Sequence, residues 1–347
     1  MDIRDLFGIR LPIIQAPMAG TQNHQLAAAV SMAGGLGSIP AGMLTAESLD
    51  AELSAMTALT DQPYNVNFFC HQPPAPDPER EQAWLALLAP FLEEHRIDPA
   101  SIPGGVTRKP FDTEMAEVIE RHRPPVVSFH FGLPAPQLLQ RVRATGARIL
   151  SSATTVEEGR WLQARGVDAV IAQGLEAGGH RGMFLDADLD GQVGILALLP
   201  QLVAALEIPV IAAGAIADAR GVSAAQTLGA AGVQVGTAYL LCDESRASAL
   251  HRQALQRPDA QHTVLTTLFS GRPARGIANR LVRELGPRPA AVPSFPLAGN
   301  TIASLRAQAE PHGVDDFSPL WAGQNVSGCQ AVPAERLTRT LAAGWHG

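Results

Sequence analysis

The stretch Ala172–Gly182, A-Q-G-L-E-A-G-G-H-R-G, carries the residues best suited to chemistry. It follows the apolar run Val167–Ile171, so a buried strand is expected to break there into a loop. The adjacent glycines Gly178 and Gly179 let the backbone approach something flat or bulky where a side chain would collide. His180 comes next, the residue type whose unperturbed pKa lies near neutrality. A close-approach loop that delivers an imidazole suits a cofactor enzyme. The plainer reading is a glycine-rich turn with a surface histidine, so other parts of the chain must decide.

Three amides, Gln15, Asn67 and Gln173, stand at the ends of expected strands. An amide both donates and accepts, and so matches the C=O and N–H edge of a heteroaromatic ring. Pro17-Met18-Ala19-Gly20 offers a soft surface on which such a ring can lie. Two further strand ends read A-A-G-A-I (212–216) and Q-V-G-T-A (234–238). Gly214 and Gly236 would let backbone N–H groups point at phosphate oxygens, and Thr237, after Gln234 and Val235, adds a hydroxyl. Each segment alone is an ordinary tight turn. Together they suggest flavin mononucleotide (FMN). His130 and Ser270 are candidate substrate-binding residues, whereas His24, His95, His122, His251 and His312 are expected to be solvated. No G-x-G-x-x-G fingerprint follows a strand with the required acidic partner, no G-x-S-x-G elbow stands out, and no metal-ligand spacing is evident.

The elements that must position these residues are short apolar runs alternating with helical patterns. Strands are expected at Leu11–Ala16, Leu36–Pro40, Tyr64–Phe69, Val126–Phe131, Arg148–Ser152, Val167–Ala172, Pro209–Ile216 and Gly232–Leu240. Lack of alternation fits strands buried on both faces of a parallel sheet. Eight such units predict an α/β fold, a TIM (β/α)8 barrel, with a doubly wound open sheet as the rival. In a barrel the strand C-termini define the active face, and phosphate commonly sits after strands seven and eight. The expected organisation is a barrel over 1–242 with a helical insertion at about 72–124. A smaller, mainly helical cap follows over 243–330, and a last segment, 331–347, whose helix returns to the barrel.

Bulk composition narrows the function classes. The chain has 347 residues, 46% hydrophobic and 17% charged, which suits a globular enzyme. A net charge of -7 argues against nucleic acid as partner. Three dispersed cysteines argue against a disulfide framework. Charged residues within 1–20 interrupt any signal-peptide core, and Pro200 and Gln201 interrupt the most apolar later run, so no membrane association and a cytoplasmic location are expected.

The motifs Q-A-P-M-A-G (15–20), A-A-A-V-S-M-A-G-G-L-G-S (27–38), Y-N-V-N-F-F (64–69), S-F-H-F-G (128–132), Q-G-L-E-A-G-G-H-R-G (173–182), G-R-P-A-R-G-I-A-N-R (271–280) and L-W-A-G-Q (320–324) run in order through nearly the whole chain. In this the sequence resembles nitronate monooxygenase, formerly called 2-nitropropane dioxygenase, in its bacterial class I branch. The resemblance implies a TIM barrel with a helical second domain, tightly bound FMN, and O₂-dependent oxidation of alkyl nitronates such as propionate 3-nitronate. It implies electron transfer to give a flavin semiquinone, and products of an aldehyde or keto acid plus nitrite. His180 would be the active-site imidazole, hydrogen-bonding the nitro oxygens and, when protonated, stabilising their charge. Asn67, Gln173, Gly178, Gly179, Gly214 and Gln234–Thr237 would fall on FMN-contacting segments, with Met18 and Gly20 near the ring. Three departures stand out. Ala215 replaces a usual second glycine, Asn23-His24 replaces a usual Thr-Pro helix start, and 293–305 contains neither tyrosine nor lysine to line a substrate site. An FMN-dependent NAD(P)H reductase of quinones or enoyl thioesters is the alternative on the same barrel. A flavin-free, phosphate-binding lyase or isomerase is the more distant one.

Overall fold

The computed structural model describes residues 2–105 and 108–346. Eight parallel strands form one sheet: β1 (Ile13–Gln15), β2 (Gly37–Pro40), β3 (Tyr64–Phe69), β4 (Val126–His130), β5 (Arg148–Ala153), β6 (Ala169–Gln173), β8 (Val210–Ala213) and β9 (Gly232–Val235). Their order is β1-β9-β8-β6-β5-β4-β3-β2. A parallel bridge between Ile14 and Leu36 joins its two edges. Across that seam Gln15 N–H donates to Leu36 O and Leu36 N–H donates to Ile13 O, both at 2.9 Å. The sheet is therefore a TIM barrel and not an open doubly wound sheet.

Local chemistry sets the element ends. Thr45 caps the helix Ala46–Leu59 in a reciprocal box with Ser48, and Asp218 caps Ala219–Thr227 through Gly221 N–H. Gly34 ends His24–Ala33 in the left-handed region at φ 105°, where a Cβ would be strained. Asn23, at the departure from the usual Thr-Pro start, accepts from Gln25 N–H and so caps this helix with its own side chain.

The N-terminal helix Ile3–Phe7 closes the lower end of the barrel. Ile3, Phe7 and Ile9 pack against the inward-facing Ile14, Leu36, Val126, Leu150 and Ile211. A Cβ on Gly232 would fall 2.1 Å from Ile3 Cδ1, so a bare strand backbone lets this plug seat. With that end filled, the open end lies at the strand C-termini.

Within 243–330 the helices Ala249–Gln256, Arg280–Leu285 and Gly299–Ala309 outweigh two short strands that the sequence did not announce. Strands β10 (Thr263–Thr266) and β11 (Ala274–Ile277) pair antiparallel, and β11 pairs in turn with β7 (Gly179–His180). Four-residue strands are too short to carry a readable period, which is why the pattern hid them. The helix Pro78–Glu94 of the insertion shares a second apolar cluster with this region, where Trp84, Leu88 and Phe91 meet Leu268, Leu305 and Phe317. A bidentate Arg280–Glu94 pair at 2.8 Å fastens the same contact. The final helix, Ala334–Ala342, buries Ala334, Leu337 and Leu341 in the barrel's main apolar cluster. Thr338 donates to Ala334 O and so can only accept from Tyr239 Oη, at 2.8 Å.

Candidate active site

A cavity of about 1420 Å³, counting the space open to solvent, occupies the barrel mouth. Pro17, Met18, Asn67, His130, Gln173, Gly178, Gly179, His180, Gly214, Gln234, Val235, Gly236 and Thr237 all line it. The strand ends thus converge as a barrel requires.

The His180 loop is fixed by its backbone. The carbonyl oxygen of His180 accepts from Gln173 Nε2 at 2.9 Å and from His130 Nε2 at 3.1 Å. Gln173 Oε1 accepts in return from Gly182 N–H at 2.7 Å. Because His130 Nε2 donates to a carbonyl, its Nδ1 must be the acceptor from Ser152 Oγ at 3.0 Å. Burial pushes the His130 pKa down to about 4, which keeps this neutral tautomer. Arg181 is fully buried and donates to Gly174 O, Gln173 O and Gln192 Oε1 at 2.6–2.9 Å. From the far side, the 320–324 segment presses on the same loop. A Cβ on Gly178 would lie 2.5 Å from Gly323 N, so only glycine fits there.

His180 Nε2 lies 2.8 Å from Ser270 Oγ. Among the described residues no hydrogen bond reaches Nδ1. The ring sits among Phe295 and Trp321, each 5.5 Å away centroid to centroid, and Phe69 at 6.2 Å. Burial first, then the positive charge of Arg108 and the neighbouring His130 and Arg272, hold its pKa well below the ordinary value. Its surroundings therefore favour the neutral imidazole. Positive charge near the ring comes from Arg272, stacked 3.9 Å over Phe131, and from Arg108.

After β8, Gly214 has φ 123° and Ala215 φ 57°, and a Cβ on Gly214 would lie 3.3 Å from Ala177 N. The N–H groups of Gly214, Ala215 and Ile216 make no hydrogen bond among the described residues. Successive free donors in such a turn form an anion-binding nest. Asn325 Nδ2 donates to Ala215 O at 3.0 Å, and Gly323 N–H donates to Thr237 Oγ1 at 2.9 Å. Gln234 Oε1 is buried without a partner in the cavity wall. Asn67 spends its Nδ2 on Ser128 Oγ at 2.9 Å.

Several expected residues lie elsewhere. Gln15 is fully buried and does not reach the cavity, because its Oε1 accepts from Ser38 N–H at 3.0 Å and its amide nitrogen donates to Gln22 Oε1 at 2.6 Å and to Ala16 O. Gly20 is an exposed turn residue at φ 82°, off the wall. Ser270 is 1% exposed and stands behind His180 instead of lining the cavity. His251, expected to be solvated, is 4% exposed and reaches Trp321 O through Nε2 at 3.1 Å. Sequence reasoning missed Arg108, Trp321 and Asn325 as cavity residues, although L-W-A-G-Q marks the neighbourhood of the last two. Arg108 sits in an insertion with no periodic signal.

A TIM barrel whose mouth gathers a neutral, backbone-anchored histidine and a bare N–H nest is built as a small-molecule enzyme. The family sequence model described as nitronate monooxygenase matches residues 2–344. The nitronate monooxygenase of Pseudomonas aeruginosa is 44% identical over 338 residues, covering 97% of this chain and 96% of that one. That of Paraburkholderia phytofirmans is 41% identical, covering 97% and 92%. Among solved structures, nitroalkane oxidase from Streptomyces ansochromogenes superposes with a TM-score of 0.90 at 40% identity, covering 99% and 97%. FabK from Thermotoga maritima superposes at 0.72 and 25% identity, covering 99% and 94%. The chain belongs to the nitronate monooxygenase family. It is an oxidoreductase, and its reaction class is the oxidation of nitronates. Among the described residues no helix is long and apolar enough to cross a membrane.

Proposed function

We propose that this chain is an FMN-dependent enzyme that oxidises alkyl nitronates with O₂, propionate 3-nitronate among them, to an aldehyde or keto acid plus nitrite. The observation that carries the reading is a single cavity lined both by a free N–H nest and by the His180 imidazole. The wall suits a flavin. Gly214, Ala215 and Ile216 would hold the phosphate, helped by Gly236 and Thr237. Gln234 Oε1, buried and unpartnered, and the free Oδ1 of Asn67 match the polar edge of an isoalloxazine. A Cβ on Gly179 would meet nothing within 4 Å, so its bare backbone borders the space a ring would take. Met18 offers that ring a polarisable surface. In the same reading residues 1–242 are the flavin barrel, with the helix Thr113–His122 in its outer ring, while about 72–112 and 243–330 cover its mouth.

When bound, the flavin supplies the one-electron chemistry. The chain's own residues orient and exclude. With Nε2 held by Ser270, His180 presents Nδ1 to the substrate. If Ser270 donates, Nδ1–H donates to a nitro oxygen; in the other tautomer Nδ1 accepts the α-proton of a neutral nitroalkane. Phe69, Phe131, Phe295 and Trp321 keep water from the reacting carbon. Gln173 and His130 hold the loop so that the imidazole does not need to find its place in each turnover.

The test is to purify the protein, record its visible spectrum, and follow O₂ uptake with propionate 3-nitronate. A flavin spectrum with nitronate-dependent O₂ uptake is expected. Anaerobic bleaching by NADH without nitronate would favour the reductase, and a colourless protein that releases no FMN on heating would overturn the flavin reading.

A further inference from the structure

The cavity wall contains no aspartate or glutamate, and Arg108 is its one formally charged residue among those described. Arg108 enters from the insertion, on the imidazole side. Its guanidinium carbon lies 5.7 Å from the Phe295 ring centroid, and that ring lies 5.5 Å from His180. The loop is pinned beside it, since His71 Nε2–H donates to Arg108 O at 3.2 Å. The strongest charge acting on Arg108 is another cation, Arg306. A desolvated guanidinium facing a cavity without an acid partner is expensive to maintain unless an anion completes it. Arg272 and Arg306 lie nearby, but of the three only Arg108 lines the cavity.

We infer that Arg108 is a specificity-determining residue that binds a second anionic group, a carboxylate at the far end of the substrate from its nitronate carbon. This rests on the nitronate reading above and adds to it the residue that selects for a charged tail. A guanidinium offers two parallel N–H donors, which match a carboxylate better than a methyl or an amide terminus. The flavin phosphate has donors of its own in the free N–H groups of 214–216.

The experiment compares Arg108→Gln and Arg108→Lys with the parent enzyme on two nitronates of equal size, propionate 3-nitronate and the nitronate of 3-nitropropanamide. Flavin content and melting temperature are recorded for each variant, and calorimetry follows binding of 3-nitropropionate itself. Arg108→Gln is expected to lose about 10- to 100-fold in kcat/KM on the carboxylate substrate, mostly in KM. It is expected to bind 3-nitropropionate correspondingly more weakly and to lose far less on the amide substrate. Arg108→Lys should restore most of the loss. Equal losses on both substrates, or none on either, would overturn the assignment while the nitronate reading stands. A parent enzyme that turns over neither nitronate would overturn both.

Discussion

The imidazole of His130 donates to the backbone carbonyl of His180 across 3.1 Å, so one histidine fixes the chain direction from which the other projects. With its other ring nitrogen held by Ser152 at 3.0 Å, His130 is expected to act chiefly on position. Replacement by glutamine, which can keep one donor, should retain more activity than replacement by phenylalanine. The check is kcat for both variants at unchanged flavin content. A phenylalanine variant with full kcat would refute the anchoring role.

The Ser270–His180 contact predicts a split between two substitutions. His180→Asn is expected to lower turnover by on the order of 10²–10⁴ while retaining flavin. Ser270→Ala leaves the ring in place but releases Nε2, and a misoriented group of this kind commonly costs up to about 100-fold. Steady-state kinetics on one nitronate decides it, and Ser270→Ala matching His180→Asn would mean the serine does more than orient.

Adjacent glycines should respond differently. Gly178→Ala drives a Cβ into Gly323 N at 2.5 Å and Ala322 C at 2.6 Å, both backbone atoms that cannot yield. A loss of about 1–3 kcal/mol is expected, with displacement of the 320–324 segment. Gly179→Ala meets no neighbour and pays only for φ 72°, about 1 kcal/mol, but its methyl group enters the cavity. Urea midpoints and flavin retention separate the two: the first variant is less stable, the second binds flavin less well.

Ala215 holds φ 57° without the freedom of glycine. Ala215→Gly should leave flavin retention intact and change stability by less than about 1 kcal/mol, since relief of strain is offset by unfolded-chain entropy. Ala215→Val, branched at Cβ, should weaken retention. Equilibrium dialysis of the flavin is the measurement.

Stability should fall on acidification. Burial lowers His71, His130 and His251 from 6.5 to about 4. The unfolded chain thus binds more protons than the folded one between these values. The stabilisation is complete above about pH 6.5 and is lost as pH falls toward about 4, at about 1.4 kcal/mol per unit for each fully coupled group. Urea unfolding at about pH 7 and about pH 5 checks the sign. An unchanged midpoint would mean the three rings are solvated.

Much of the frame was legible because its signals are local. Eight apolar runs, several of them ending in glycine or amide residues, announce a buried parallel barrel, and the Gly178-Gly179-His180 triplet announces a loop pressed close to something. What escaped depends on distant chain segments meeting. Gln15 reads as a free strand-end amide until Gln22 and Ser38 are seen to satisfy it. His251 reads as a solvated helix residue until Trp321 covers it. Arg108 has no pattern at all, since its meaning comes only from the acid-free wall it faces.

The short strand Gly179–His180 is hydrogen-bonded to Ala274–Arg275, and the second of those strands belongs to the structure that roofs the mouth. Roof and reactive group thus share one hydrogen-bonded sheet, so a substitution within Ala274–Ile277 reaches the imidazole through the backbone without touching its ring.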